Sequence, residues 1–264
     1  MASLRRRRRS SNGPGAAPVI GVAVLLLALV GGWIWFRSDR EPPPLPETTL
    51  PAERPVPPAT GPELPPALDL PELSASDEFV RGLVQRLSEN PQLAAWLATD
   101  DLIHRFVRVI LDLAGGSNPA EHVRFMAPSE PFTVEERDGR LVASRASMRR
   151  YDLVAATFAS LDTEGTVRLY HQLRPLIDEA FEELGAPGES FDDALEQAIR
   201  NLLEADVPDR PLALEQDEAV YVYADPQLEA RRGAEKGLMR MGPENARLIQ
   251  SKLAEFAVAL RLVR

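Results

Sequence analysis

The chain holds 264 residues, with 30 Lys and Arg against 40 Asp and Glu, a formal charge of −10. That length admits a membrane segment and a domain with a sizeable core of its own. No cysteine is present, which excludes disulfides, iron–sulfur clusters, thiolate zinc sites and cysteine nucleophiles.

Arg5 to Arg9 precede an uncharged apolar run from Ala16 to Phe36. At about 1.5 Å per residue such a run spans roughly 30 Å, the depth of a bilayer's hydrocarbon core. One transmembrane helix is therefore expected, with Trp33 and Trp35 at the membrane–water boundary. The arginine run lies before the span, and few basic residues follow it. The positive-inside rule then puts the N-terminus in the cytoplasm and the rest of the chain across the membrane. A cleaved signal peptide is the competing reading, with a core from Val19 to Val30 and small residues at Gly31 and Gly32. Trp33-Ile34-Trp35-Phe36 lengthens the apolar run beyond such a core, which favours an anchor. The small-xxx-small pairs Ala17/Gly21 and Ala28/Gly32 are of the kind that packs helix dimers, and are common in membrane helices.

From Pro42 to Pro71, twelve of thirty residues are proline. Proline fixes φ and donates no backbone hydrogen bond, so this stretch reads as a polyproline-II spacer. At about 3.1 Å per residue it reaches up to roughly 90 Å. Pro43–Pro46 and Pro55–Pro58 match P-x-x-P, a spacing that any proline-dense segment produces by chance.

Beyond the spacer, from Glu72 onward, 22 Lys and Arg face 34 Asp and Glu, a net charge of −12. Such a domain repels phosphate backbones, so no nucleic-acid partner is expected. Ser76-Asp77-Glu78 opens a helix to about Glu89, and Asn90-Pro91 starts a short second one. Asp100 or Asp101 starts a third, which ends at Gly115-Gly116. Asp138-Gly139 suits a tight hairpin between 132–137 and 140–143. Helices follow over 147–161 and 163–184, the second with Pro175 inside it, where a bend or a missing hydrogen bond is expected. Ser190 caps a helix to about Glu204. Leu212–Glu215 with Val220–Tyr223 is a second β candidate, and Gly242-Pro243 opens a last helix to about Val263.

Several of these stretches together resemble a family of bacterial proteins, the domain-of-unknown-function family 3014. They are Ala94-Ala95-Trp96-Leu97 with Asp100-Asp101-Leu102-Ile103, then Arg150-Tyr151-Asp152, Leu173-Arg174-Pro175-Leu176 and Ser190-Phe191-Asp192-Asp193-Ala194-Leu195. The most specific is Arg240-Met241-Gly242-Pro243-Glu244-Asn245. The resemblance implies the domain boundary and the membrane-anchored layout, and it carries over no catalytic residue or cofactor.

The chemistry-bearing residues are few. Three histidines exist, His104, His122 and His171. Asp100-Asp101-x-x-His104 puts carboxylate and imidazole one helical turn apart, but no paired-histidine helix or HExxH is present, so no metal site is expected. His171 lies next to the Pro175 bend. The pairs Glu182-Glu183, Asp192-Asp193 and Asp217-Glu218 are adjacent in sequence, which suits helix capping better than two carboxylates across a cleft. There is no GxSxG elbow and no phosphate-cradling glycine loop. In the most specific string, Gly242 can stop one helix and Pro243 begin the next. Arg240, Gly242, Pro243, Glu244 and Asn245 then form either a tight interhelical elbow or a binding rim for a protein or glycan.

The expected fold is mainly α, with a single-pass transmembrane anchor, a proline-rich linker and a helical globular domain bearing one or two small β-hairpins. Residues 1–15 are a basic cytoplasmic tail, 16–36 the transmembrane helix, 37–73 the linker and 74–264 a periplasmic helical domain. An excess of Arg over Lys and an abundance of Ala, Pro and Leu point to a GC-rich bacterial genome, hence to the inner membrane. The expected role is an interaction or scaffold module of the cell envelope, bound to the bilayer through its N-terminal helix and to an envelope protein or glycan. No cofactor is expected and no catalytic residue is assigned. The alternatives are an envelope enzyme of the hydrolase kind, built on a histidine with nearby carboxylates, and a chaperone-like binder of unfolded chains.

Overall fold

The computed structural model describes residues 68–184, 189–218 and 220–262. The expected basic tail, the transmembrane helix and most of the linker lie outside them. Among the described residues no helix is long and apolar enough to cross a membrane. Nine helices and four strands are numbered here in chain order among these residues.

Helix α1 (Asp77–Val84) tightens into a 3-10 turn that ends at Leu87, and α2 (Pro91–Trp96) follows. The Asn90 side chain caps α2 by accepting from the Gln92 N–H, and Pro91 opens it, as the sequence predicts. Helix α3 (Leu102–Ala114) is apolar on most of its circumference, with Leu102, Ile103, Phe106, Val107, Val109, Ile110 and Leu113 buried. A helix buried that widely must be surrounded. Its start is held from outside: the Asp77 carboxylate accepts from the Asp101 and Leu102 N–H groups at 2.6 and 2.9 Å. Its end is held likewise, because the Asn201 amide donates to the Leu113 and Ala114 carbonyls at 2.8 and 2.9 Å. Those carbonyls are among the orphans every helix leaves. A 3-10 segment, Ala120–Met126, packs on α3 where no element was expected.

The two β candidates are one sheet. Strands β1 (Val134–Arg137), β2 (Arg140–Ala143), β3 (Ala213–Asp217) and β4 (Val220–Tyr223) pair antiparallel in the order β1-β2-β3-β4. Asp138 and Gly139 take φ of 52° and 71°, the two positive values of a type I′ turn. The hairpins join through Leu141 opposite Leu214 and Val142 opposite Ala213.

The helix expected over 147–161 is two: α4 (Arg145–Arg149) and α5 (Asp152–Ala159). At the break, side chains supply bonds that a continuing helix would make. Arg150 Nε donates to the Ser147 carbonyl, and the Met148 carbonyl receives the Tyr151 N–H and the Asn245 amide. Helix α6 (Thr163–Glu183) stays helical through Pro175 for 21 residues. The proline therefore costs a hydrogen bond to the His171 carbonyl without ending the helix. Helix α7 (Phe191–Leu203) is capped by Ser190, whose side chain accepts from the Asp192 N–H. After α8 (Pro226–Glu229), the last helix, α9 (Gly233–Ala259), begins well before the expected Gly242-Pro243 and is kinked there.

Gly242 has φ 80° and ψ 162°, a region essentially reserved for glycine. Both halves of α9 around the kink reach the main core, Ala234, Leu238 and Met241 from before it. Beyond it, Ala246, Ile249, Leu253, Phe256 and Ala257 enter the main core, where Phe256 meets Phe158 at 5.7 Å between ring centroids. The main core also holds the Phe106, Phe191 and Phe181 rings from α3, α7 and α6. Before the kink, Met239 turns to a smaller core under the sheet with Leu214, Tyr223 and Leu228. One cation is nearly buried: Lys252 Nζ donates to the Leu161 carbonyl at 3.1 Å, Thr163 Oγ1 at 3.2 Å and Glu255 Oε2 at 2.6 Å. It joins α9 to the start of α6.

Gly242→Ala is expected to destabilise the protein by about 1–3 kcal/mol from backbone strain alone, and further because the new Cβ meets Met148 Sδ at 2.9 Å. Adding Met148→Ala removes the Sδ and Cγ contacts but leaves the residue-148 Cβ at 3.1 Å and keeps the strain, so chemical denaturation should show only partial recovery. Thr166→Val is expected to act oppositely. Its hydroxyl is buried without a partner among the described residues, and an isosteric methyl in its place should raise stability by up to about 1 kcal/mol.

Candidate functional site

Two sequence blocks far apart in the chain meet at the kink. Asn245 is 5% exposed and its amide donates to the Met148 carbonyl at 3.2 Å, Asp152 Oδ1 at 3.0 Å and the Met241 carbonyl at 3.1 Å. The Arg150-Tyr151-Asp152 block thus locks onto the Arg240–Asn245 block. Tyr151 is buried between them. Desolvation raises its pKa, and the Arg150 and Arg240 cations partly oppose that rise.

Concavities lie on both sides of this seam. On one side is a slot of about 40 Å3 lined by Phe132, Tyr221, Tyr223, Met148, Met239, Pro208 and Pro243, with Arg210 and Arg240. Phe132 and Tyr221 sit 5.7 Å apart between centroids. On the other side is an open groove of about 550 Å3 lined by Trp96, Met126, Pro128, Arg149, Arg150, Asp152 and Leu153 among others. Leu153, 50% exposed, is its apolar rim. Arg150 links the two: it lines the groove while its guanidinium lies 5.5 Å from the centres of both the Phe132 and Tyr151 rings. Its Nη1 is spent on the Glu130 carbonyl at 2.7 Å.

The five residues read from sequence as an elbow or a rim divide between those roles. Gly242 and Asn245 are buried and hold the elbow; Arg240 and Pro243 line the slot; Glu244 is exposed. The aromatic lining was not anticipated. Strand alternation puts Tyr221 and Tyr223 on one face of β4, but nothing in the sequence brings that face to Arg240. Desolvation raises the Tyr223 phenol to about 12, with Arg240 lowering and Glu229 raising it, so it stays a neutral donor at pH 7. Glu229 itself is held below the usual range. Burial opposes this, but hydrogen bonds from Lys236 and the Tyr223 N–H outweigh it.

A second polar cluster ties α6 to α7. Asp192 Oδ1 accepts from the Tyr170 hydroxyl and from Arg174 Nη1, each at 2.5 Å, and Arg174 Nε reaches Asp178 at 2.7 Å. The Leu173–Leu176 and Ser190–Leu195 blocks thus meet as well. Asp192 is therefore an interhelical tie in addition to a first-turn acid. Burial drives the Tyr170 pKa far up, which keeps its hydroxyl a donor to Asp192. His171 beside it is lowered by desolvation, with Asp192 raising and Arg174 lowering it further.

The histidines do not converge. His104 Nδ1 faces Asp101 at 2.7 Å and Nε2 faces Glu183 at 2.8 Å, a surface bridge between α3 and α6. His122 lies 3.5 Å from Asp112, whose carboxyl is raised by burial against the pull of His122. None of the three lines the slot or the groove. Among the described residues no group of three His, Asp or Glu is placed to hold a metal ion.

The family model described as protein of unknown function (DUF3014) matches residues 102–257, more than half of the chain. No curated protein and no solved structure matches.

The lowered His171 pKa has a definite sign. The unfolded imidazole, near pH 6.5, binds a proton before the folded one does, so acid favours unfolding. Stability contributed by neutral His171 is complete above pH 6.5 and declines as pH falls through and below that value. Thermal unfolding between pH 7.5 and 5.5 should show this slope, and His171→Gln should flatten it.

Proposed function

The chain belongs to DUF3014, a family of proteins of unknown function, and on that premise we propose that it is a membrane-anchored periplasmic interaction module of the bacterial envelope. The apolar run Ala16–Phe36 anchors it, and the proline-rich stretch to Pro71 holds the domain away from the bilayer. The partner, an envelope protein, docks on the seam between the Arg150–Asp152 and Arg240–Asn245 blocks.

One observation carries this reading. The seam is hydrogen-bonded through Asn245, walled by aromatic and methionine side chains, and flanked by a concavity on each side, and no histidine lines either. Aromatic residues, methionine and arginine are the types that concentrate binding energy at protein interfaces. The carboxylates in the groove, Glu130 and Asp152, have no histidine beside them there. The enzyme reading would rest on His104, which is held on the surface between two carboxylates.

Topology and docking are tested separately. With no native cysteine, single cysteines at Ser11 and Asp217 report sidedness: a membrane-impermeant maleimide applied to intact cells with a permeabilised outer membrane should label only the second. In-cell crosslinking of the full chain should then recover a reproducible envelope partner. Leu153→Glu, on the groove rim, should reduce that crosslink at least tenfold, while His104→Ala, His122→Ala and His171→Ala should leave it intact. A deletion phenotype that Leu153→Glu complements and the histidine variants do not would replace the interaction module with an enzyme.

A further inference from the structure

The slot beside the seam has a charge that the domain around it does not. From Glu72 onward the chain carries a net charge of −12, yet two arginines and no carboxylate line this slot. Arg240 is half-buried and, among the described residues, has no carboxylate within ion-pair distance. The nearest acid in electrostatic reach is Glu229, already bonded to Lys236 and the Tyr223 N–H. The neighbours of Arg240 are the Tyr223 phenol, which it bonds, and the more distant charge of Glu229, so the half-buried guanidinium lacks a direct carboxylate partner, which is costly. An anion arriving there gains a charge-assisted, fork-shaped pair of hydrogen bonds. The phenol of Tyr223 stands beside it as a neutral donor.

The remaining wall is apolar: Phe132, Tyr221, Met148 and Met239. Its volume, about 40 Å3, is small and admits nothing the size of a cofactor. The occupant must therefore bring one carboxylate and one small apolar group a bond or two apart. An internal Asp or Glu offers the first without the second. A free amino acid offers both but brings its ammonium toward Arg240, where like charges repel. The last residue of a polypeptide offers carboxylate and side chain on a single carbon, with its nitrogen already in an amide.

We infer that the slot binds the C-terminal residue of a partner polypeptide, the carboxylate on Arg240 and a small apolar side chain among the rings and methionines. This rests on the interaction-module reading and gives it a ligand. Exposed Arg210 steers the approaching anion, so its contribution falls with salt. Pro208, Pro243 and the clamped kink keep the slot preformed, which spares the cost of ordering it on binding.

The test uses the purified full chain in detergent and the fluorescein-labelled peptide Gly-Ser-Gly-Ser-Val, read by anisotropy. The free-acid peptide should bind saturably. Its C-terminal amide, and the same peptide ending in Trp, should each bind at least tenfold more weakly. Arg240→Met should weaken binding at least tenfold; Arg210→Met should weaken it mainly at low salt. Arg168→Met, on the far surface of α6, should leave it unchanged. Unfolding curves of the variants show whether each is folded, and the amide comparison needs no variant at all. Equal binding of acid and amide, or no binding of either, overturns the inference. So does isovalerate competing as well as unlabelled peptide, which would assign the slot to free short-chain acids. A partner crosslinked in cells through the groove, with no carboxylate dependence here, would overturn this inference and leave the interaction module standing.

Discussion

A buried amide locks the kink of α9 onto the break between α4 and α5. Asn245 reaches back from α9 to the Met148 carbonyl and the Asp152 carboxylate, and forward strain at Gly242 lets α9 turn to make that reach. Before the kink Met239 lies under the sheet while Leu238 and Met241 stay in the main core, and beyond it Phe256 packs against Phe158. A backbone conformation open only to glycine is costly, of order 1–3 kcal/mol for other residues, and it persists because buried hydrogen bonds and both cores over-determine it. The slot and the groove exist because α4–α5 and α9 meet at an angle there.

The same device recurs at smaller scale. Asp77 caps α3 from α1, Asn201 closes its other end from α7, and Asp192 ties α7 to α6 through Tyr170 and Arg174. Each polar group satisfies a donor or acceptor that helix geometry leaves orphaned, or pairs a charge that burial would otherwise penalise. The helices gain most of their stability from apolar burial. Hydrogen bonds between helices decide which faces meet, because an unmade buried bond costs more than a made one returns.

Charge is unevenly distributed over this domain. Among the described residues, nine of nineteen arginines lie within ion-pair distance of a carboxylate, as Arg174 does with Asp192 and Asp178. Arg240 is placed differently, against phenol and apolar walls. Local departure from the overall charge pattern, at a rigid and partly apolar site, is what gives the seam a claim to recognition that the paired surface histidines lack.

Much of the secondary structure was legible along the chain. Asn90-Pro91, Asp138-Gly139, Ser190 and the apolar stripe of α3 are local signals, and the structure places helix, turn, cap and buried helix there. Where side chains from elsewhere compete with the backbone, local pattern was insufficient. The 147–161 helix breaks where Asn245, nearly a hundred residues away, takes the Met148 carbonyl near its start, and α9 starts early because Gly242 bends a helix instead of opening one. The blocks Arg150–Asp152 and Arg240–Asn245 were each visible, but their meeting was not. The periodicity of a sequence specifies which face of an element is apolar. Which faces touch, and hence where Arg240 finds Tyr223 and Phe132, is settled only by the long-range packing that buries them.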